Sequence, residues 1–140
     1  MLARGYITTF YSYKGGVGRT MVVANIAAKL AAWGYRVLCV DGDLEAPGLP
    51  YYLPPVDPHD GETGLIDCLL AYRQSTTVDW RSYVTKVVLA GRDTVRLDLM
   101  PAGTKGPRRV SRIRSLDLDG LYRAHGLALK LEALCQEWRR

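Results

Sequence analysis

Hydrophobic and polar positions along this chain switch between strand-like and helix-like periods, and the switches mark the elements. Gly5 to Tyr13 carries β-branched and aromatic bulk at Ile7, Thr8, Thr9, Phe10 and Tyr11, which predicts a strand. From Arg19 to Trp33 the apolar positions Val23, Ile26, Ala27, Leu30 and Ala31 recur at helical spacing. Gly34 is placed to end that helix. Tyr35 to Val40 then reads as a buried strand that ends at Asp41. Strand, tight loop, helix and strand make a βαβ unit, so a parallel sheet with a right-handed crossover is expected.

The pattern breaks between Pro47 and Gly64. Prolines at 47, 50, 54, 55 and 58 exclude a regular helix, and Asp60-Gly61 signals a turn. Thr63 is placed to cap a short helix from Gly64 to about Arg73, with Leu65, Leu69 and Tyr72 along one face. Tyr83 to Ala90 and Thr94 to Met100 flank Gly91-Arg92-Asp93 and predict a hairpin or a strand with an edge strand. Pro101-Ala102-Gly103 closes the second of these at the carboxyl edge of a sheet. After a polar stretch, Asp119 to Trp138 reads as one amphipathic helix with Leu127, Leu131, Leu134, Cys135 and Trp138 as its buried stripe. The three tryptophans fall in helices or at helix edges, where core packing is the expected role.

Composition adds bounds to this outline. A chain of 140 residues, 48% hydrophobic and 24% charged, suits one globular domain with its own core. A formal net charge of +5 permits contact with anions and identifies none. Cys39, Cys68 and Cys135 follow no metal-ligand spacing and read as reduced, buried thiols. Met1-Leu2-Ala3-Arg4 runs straight into a strand-like segment without the pattern of a signal peptide. The most apolar stretch, Met21 to Trp33, is broken by Asn25 and Lys29 and is too short to span a bilayer. A cytoplasmic location is expected.

The candidate chemistry lies between the first strand and the first helix, in Lys14-Gly15-Gly16-Val17-Gly18-Arg19-Thr20. Backbone N–H groups at a helix N-terminus have no intrahelical acceptor, and the helix dipole favours an anion there. Glycines at 15, 16 and 18 let the loop curl round phosphates without Cβ obstruction. Thr20 would place its hydroxyl on a magnesium ion. A connecting glycine turn is the plainer alternative, but the flanking cations, the threonine and the βαβ context all favour a phosphate cradle.

The ordinary phosphate-loop pattern, Gly-x-x-x-x-Gly-Lys-Ser/Thr, fits imperfectly: Tyr13 stands at its first glycine and Arg19 at its lysine. The loop resembles the deviant version, Lys-Gly-Gly-x-Gly-Lys-Ser/Thr, of the ParA and MinD superfamily, with Lys14 matching the extra lysine. Within it, Tyr-Lys-Gly-Gly-Val-Gly-Arg-Thr is similar to the bacterial KGGVGR-motif variant ATPases, often N-terminal parts of multidomain proteins. The resemblance implies an α/β fold, a P-loop NTPase-like mostly parallel sheet flanked by helices. It implies ATP and Mg2+ as cofactors, with Lys14, Gly15, Gly16, Val17, Gly18, Arg19, Thr20 and Met21 around the nucleotide. It also implies an ATP-dependent homodimer in which Lys14 reaches the partner's phosphates and steadies the transferring phosphoryl group. Arginine is a planar fork where lysine is a point charge, so Arg19 secures binding more than turnover.

A second cluster, Asp41-Gly42-Asp43-Leu44-Glu45-Ala46-Pro47-Gly48-Leu49, stands at the end of the Tyr35–Val40 strand. Ligands of open parallel sheets bind at the strands' carboxyl ends, which places these acids near the loop. The superfamily carries Asp-x-Asp here. The match implies Asp43 as the residue that positions the attacking water, with Asp41 and Asp43 near the magnesium shell and the proline-rich stretch as a switch. Glu45 is a weaker candidate.

Lys105, Arg108, Arg109, Arg112 and Arg114 could face nucleic acid or acidic lipid, although a solvated face is the plainer reading. An apolar strand ending in a magnesium-side aspartate is not found. Val87 to Ala90 followed by Asp93 has the wrong spacing, and Leu97-Asp98-Leu99 merely alternates. The expectation is therefore a nucleotide-binding domain over 1–140 that stops before that strand. Its expected function is a nucleotide-dependent dimerisation switch with slow ATP hydrolysis. The alternatives are a module that senses nucleotide without turnover, within a larger protein, and a DNA- or membrane-associated positioning protein.

Overall fold

The computed structural model describes residues 5–57, 62–75, 77–91, 94–103, 108–124 and 126–140, the side chains of 108, 109 and 124 excepted. Helix α1 (Arg19–Ala32) leads to strand β1 (Leu38–Val40), the single-turn α2 (Leu49–Tyr52) and α3 (Leu65–Gln74). A 3-10 turn at Trp80–Tyr83 precedes β2 (Thr85–Leu89) and β3 (Val95–Met100), and α4 (Arg108–Ser115), α5 (Leu118–Ala124) and α6 (Leu127–Trp138) complete the order. The sheet runs β1-β3-β2. β1 pairs parallel with β3 (Leu38 opposite Asp98, Val40 opposite Met100), and β2 pairs antiparallel with β3 (Thr85 opposite Leu99, Leu89 opposite Val95). The class is α/β, and the described sheet is mixed.

Alternation along β2 and β3 decides which face is covered. Val87, Leu97 and Leu99 are buried with Cys39 under Ala24 and Ala27 of α1 and Leu49 and Leu53 beside α2. The other face carries the exposed Lys86–Asp98 ion pair at 2.6 Å. A second cluster joins Ile66 and Leu69 of α3 to Leu116, Leu121 and Leu127, and a third joins Cys68 and Tyr72 to Leu134. Cys39 and Cys68 are buried free thiols as expected, while Cys135 is half-buried.

Helix α1 starts at the expected residue and stops one residue short of Trp33, with Gly34 at φ +88°. The predicted hairpin strands form, with their connecting Arg92 and Asp93 outside the described residues, as are Asp60-Gly61. Five expectations are corrected. Gly5 to Tyr13 pairs with no strand among the described residues; Gly5 is tied instead to Arg139 by N–H to carbonyl at 2.7 Å. Ile7 is 47% exposed, so this segment has the side chains of a strand without the neighbours that make such side chains stabilising. Consequently the parallel pairing forms between β1 and β3 rather than across a βαβ unit.

The long C-terminal helix is two helices, because Gly126 at φ +61° lets the chain turn between α5 and α6. The polar stretch contains α4. Trp33 is 64% exposed rather than packed, and Ile26 is exposed too, since α1 meets the sheet along Ala24 and Ala27. The N-cap of α3 is Gly64, not Thr63, and the Asp67 carboxylate accepts the Gly64 N–H at 2.9 Å.

Candidate nucleotide site

The glycine loop enters α1 with Gly16 at φ +73° and Gly18 at φ +79°, left-handed conformations that a Cβ would strain. Gly18 is the N-cap, so no side chain covers the first N–H groups of the helix. The first turn also holds no acidic residue that would repel an anion. Lys14, Gly15, Gly16 and Val17 are exposed, and Gly18, Arg19 and Thr20 are half-buried. The Ser12 hydroxyl donates to the Lys14 carbonyl at 3.1 Å and steadies the start of the loop. The arrangement presents a tight glycine turn at the helix N-terminus with Lys14 and Arg19 at its two ends.

The acidic turn after β1 faces this loop. Arg19 Nη2 donates to Asp43 Oδ2 at 2.9 Å, with each side chain about a third exposed. On its other edge Arg19 Nη1 donates to Ser12 Oγ at 2.8 Å and to the Ser12 carbonyl at 3.3 Å. Asp43 Oδ1 accepts the Ala46 N–H at 3.0 Å. Thr20 lies against Gly48: a Cβ built on that glycine would come within 3.0 Å of Thr20 Cγ2 and 3.3 Å of its hydroxyl oxygen. Thr20 thereby sets its short side chain beside Gly48, one residue before Leu49, whose N–H Asp41 holds.

Asp41 is buried and organises that turn. Its Oδ1 accepts the Asp43 N–H at 3.1 Å and its Oδ2 accepts the Leu49 N–H at 3.1 Å. Burial pushes its pKa above the ordinary carboxylate value and the charge of Asp43 adds to this, while hydrogen bonds from Leu49, Asp43 and Gly48 pull it back. Burial, and then the Asp41 charge, push the Cys39 thiol beneath it up to about 11. Glu45 is exposed.

Lys14, Gly15, Gly16, Val17, Gly18, Arg19, Thr20, Met21, Asp41 and Asp43 thus converge where the chain enters α1 and leaves β1. Two contributors received no role from the sequence. Ser12 is an ordinary residue of a presumed strand, and Gly48 sits in a Pro-Gly pair that reads as a turn. Their roles depend on the third dimension alone. Of the basic stretch, Arg112 pairs with the buried Asp67, Arg114 is exposed, Lys105 lies outside the described residues, and so do the side chains of Arg108 and Arg109. No described helix is long and apolar enough to cross a membrane.

An iron-sulfur cluster carrier protein of Methanococcus maripaludis is 39% identical over 62 residues, 43% of this chain and 22% of that protein. An uncharacterized ATP-binding protein of Methanocaldococcus jannaschii is 43% identical over 47 residues, 34% of this chain and 18% of that protein. A putative tyrosine-protein kinase, EpsB, of Ralstonia solanacearum is 35% identical over 86 residues, 61% of this chain and 10% of that protein. The matched stretch is thus a quarter or less of each relative. No solved structure matches at the same significance. Residues 8–131 match the CobQ/CobB/MinD/ParA nucleotide binding domain, and the chain belongs to that family.

Proposed function

We propose that this domain binds Mg-ATP at the Lys14–Thr20 loop and acts as a nucleotide-dependent dimerisation switch with slow hydrolysis. The observation that carries the proposal is the entry to α1. There two left-handed glycines shape a loop of backbone donors directly opposite Asp43, the residue that the superfamily pattern assigns to the attacking water. ATP is favoured by the similarity to the Methanocaldococcus ATP-binding protein. The three relatives have different whole-protein names, which suits a nucleotide module reused in different settings.

In this reading the N–H groups of the loop and first helical turn hold the phosphate oxygens. Arg19 neutralises their charge. Lys14, exposed at the loop's outer end, crosses to the partner's phosphates in the dimer. Asp43 orients the water for in-line attack.

The donor set suits a hard cation. Thr20 brings a hydroxyl oxygen and Asp43 a carboxylate, and Asp41 serves that shell through the turn it shapes. Among the described residues no three His, Cys, Asp or Glu side chains gather into a metal-ligand cluster. Magnesium bound there would draw charge from the β- and γ-phosphate oxygens.

Calorimetry with ATP and magnesium tests the proposal. Gly18→Val at φ +79° should weaken binding on the order of a hundredfold while the fold persists. Lys14→Ala should keep binding and lose ATP-dependent dimerisation, read by light scattering. Undetectable heat with the native chain, or an unchanged affinity in Gly18→Val, would remove the phosphate-loop assignment. Dimerisation that survives Lys14→Ala would remove the trans-acting lysine.

A second reading, a nucleotide sensor without turnover, is favoured by one contact: the Asp43 carboxylate is bonded to Arg19, the residue standing at the lysine position. Nucleotide binding without phosphate release would select it. Docking to nucleic acid or lipid through the basic stretch is less favoured, because Arg112 is turned inward to Asp67.

A further inference from the structure

The most informative contact in the molecule is one that the phosphate-loop pattern does not contain. Both terminal nitrogens of the Arg19 guanidinium are engaged. Ser12 takes Nη1 through its hydroxyl and its carbonyl, while Asp43 takes Nη2. Phosphate oxygens seek the same donors in the same planar geometry, and a carboxylate is the protein's nearest mimic of them. Asp43 is anchored independently of Arg19, since its Oδ1 holds the Ala46 N–H. The carboxylate therefore stays in place when the guanidinium leaves.

We infer that the Arg19–Asp43 pair is a competitive latch on the loop, in which nucleotide phosphate and the Asp43 carboxylate exchange for Nη2 of Arg19 while Ser12 keeps Nη1 aimed. The inference rests on the reading of the loop as a nucleotide cradle. Its consequence is a coupling that a lysine with a single ammonium centre would not give in this form. The step that brings phosphate to Arg19 is the step that withdraws Arg19 from Asp43, so Asp43 meets water or cation only after the nucleotide has arrived. Arg19 is here a phosphate ligand and a gate at once, and Ser12 is a positioning residue that acts through it.

The latch opposes binding, so removing its carboxylate should improve affinity at a residue otherwise expected to help. The experiment is calorimetry with ATP in EDTA, where any metal-binding role of Asp43 is silent. Asp43→Asn keeps the side-chain shape and an acceptor for Ala46. It should bind ATP about tenfold tighter than the native chain. Asp43→Glu retains a carboxylate and should stay within about threefold of it. Glu45→Gln removes the same charge from an exposed site in the same turn and should change affinity less than about twofold, which separates the latch from general electrostatics. Ser12→Ala should weaken binding about threefold through loss of aim.

Native binding with an Asp43→Asn affinity that is unchanged or weaker overturns the latch and leaves the nucleotide reading standing. A Glu45→Gln gain as large as that of Asp43→Asn overturns it as well. Tighter binding in Ser12→Ala overturns the positioning role of Ser12. If neither the native chain nor Asp43→Asn binds ATP in EDTA, the latch falls, and if neither binds ATP with magnesium either, the cradle reading falls with it.

Discussion

Two neighbouring strands, β1 and β3, run parallel and end side by side, yet the corners that follow them are built in opposite ways. The corner after β3 is filled by the start of α3: Leu65 N–H donates to the Pro101 carbonyl at 2.8 Å and Ile66 N–H to that of Ala102 at 3.0 Å. Pro101, Ala102 and Gly103 are all buried, and Asp67 ties Gly64 on one side and Arg112 on the other. The corner after β1 also turns on a buried aspartate, Asp41, but Gly42, Glu45 and Ala46 remain exposed and Asp43 meets the movable Arg19 side chain across the gap. The same device, a carboxylate that collects backbone N–H groups, closes one corner and holds the other open. In a parallel sheet the open strand end is where a ligand enters, and the closed one gives it a rigid wall.

The sharpest way to break the contrast is to add one methyl group to each corner. A Cβ on Gly64 would lie 2.0 Å from the Pro101 carbonyl oxygen and 2.7 Å from Gly103 N, both backbone atoms that cannot step aside. Gly64→Ala should cost about 3 kcal/mol or more, read as a lowered urea midpoint. On Gly48 the same methyl meets the Thr20 side chain at 3.0 Å, which can rotate. Gly48→Ala should therefore cost less than about 1 kcal/mol of stability while it weakens nucleotide binding. Equal losses in the two variants would mean that the corners are equally closed.

The acids give a smaller effect. Asp67→Ala removes the acceptor of the Gly64 N–H and the partner of Arg112 and should destabilise by about 2 kcal/mol. The half-exposed Arg112 limits the figure, because water screens and replaces part of the ion pair. Asp43→Ala in the open corner should leave the urea midpoint within about 0.5 kcal/mol, since both partners of its ion pair are a third exposed.

How much of this was legible depends on whether a feature is local. Helix α1 was, because apolar spacing and Gly34 at φ +88° are properties of one segment. The β2–β3 hairpin was as well, through its alternation, and so was the tight glycine loop before α1, whose glycines encode its backbone directly. The Gly5–Tyr13 strand was not, because β propensity counts only when a neighbouring strand supplies packing and hydrogen bonds. Nor was the break at Gly126, where one glycine within an amphipathic stripe is compatible with either a continuous or a split helix. The closed corner was hidden for the same reason as the Ser12 clamp. Asp67 reads as a surface acid of a short helix until the segment after β3 brings Gly103, and α4 brings Arg112, against it.

The finest test uses the molecule's own reporters. Cys39 lies on β1 two residues before Asp41, and Cys68 follows Asp67 at the closed corner. Both are buried, and burial lifts both thiols to about 11. At pH 8 each is thiolate at only about one part in a thousand, so direct attack by an alkylating reagent is slow and nearly equal at the two sites. Labelling through local opening then reports the corner rather than the sulfur. With half-buried Cys135 replaced by serine, Cys39 should label about tenfold faster than Cys68 at pH 8, followed by mass spectrometry. Raising the pH should speed both, because it populates thiolate whether the route is direct or through opening. Saturating ATP should slow Cys39 and leave Cys68 unchanged, since a ligand bound to the open corner stabilises that corner against opening. Equal labelling at the two cysteines, or equal protection by ATP, would show that the two strand ends open as one unit and that the difference between them is not energetic.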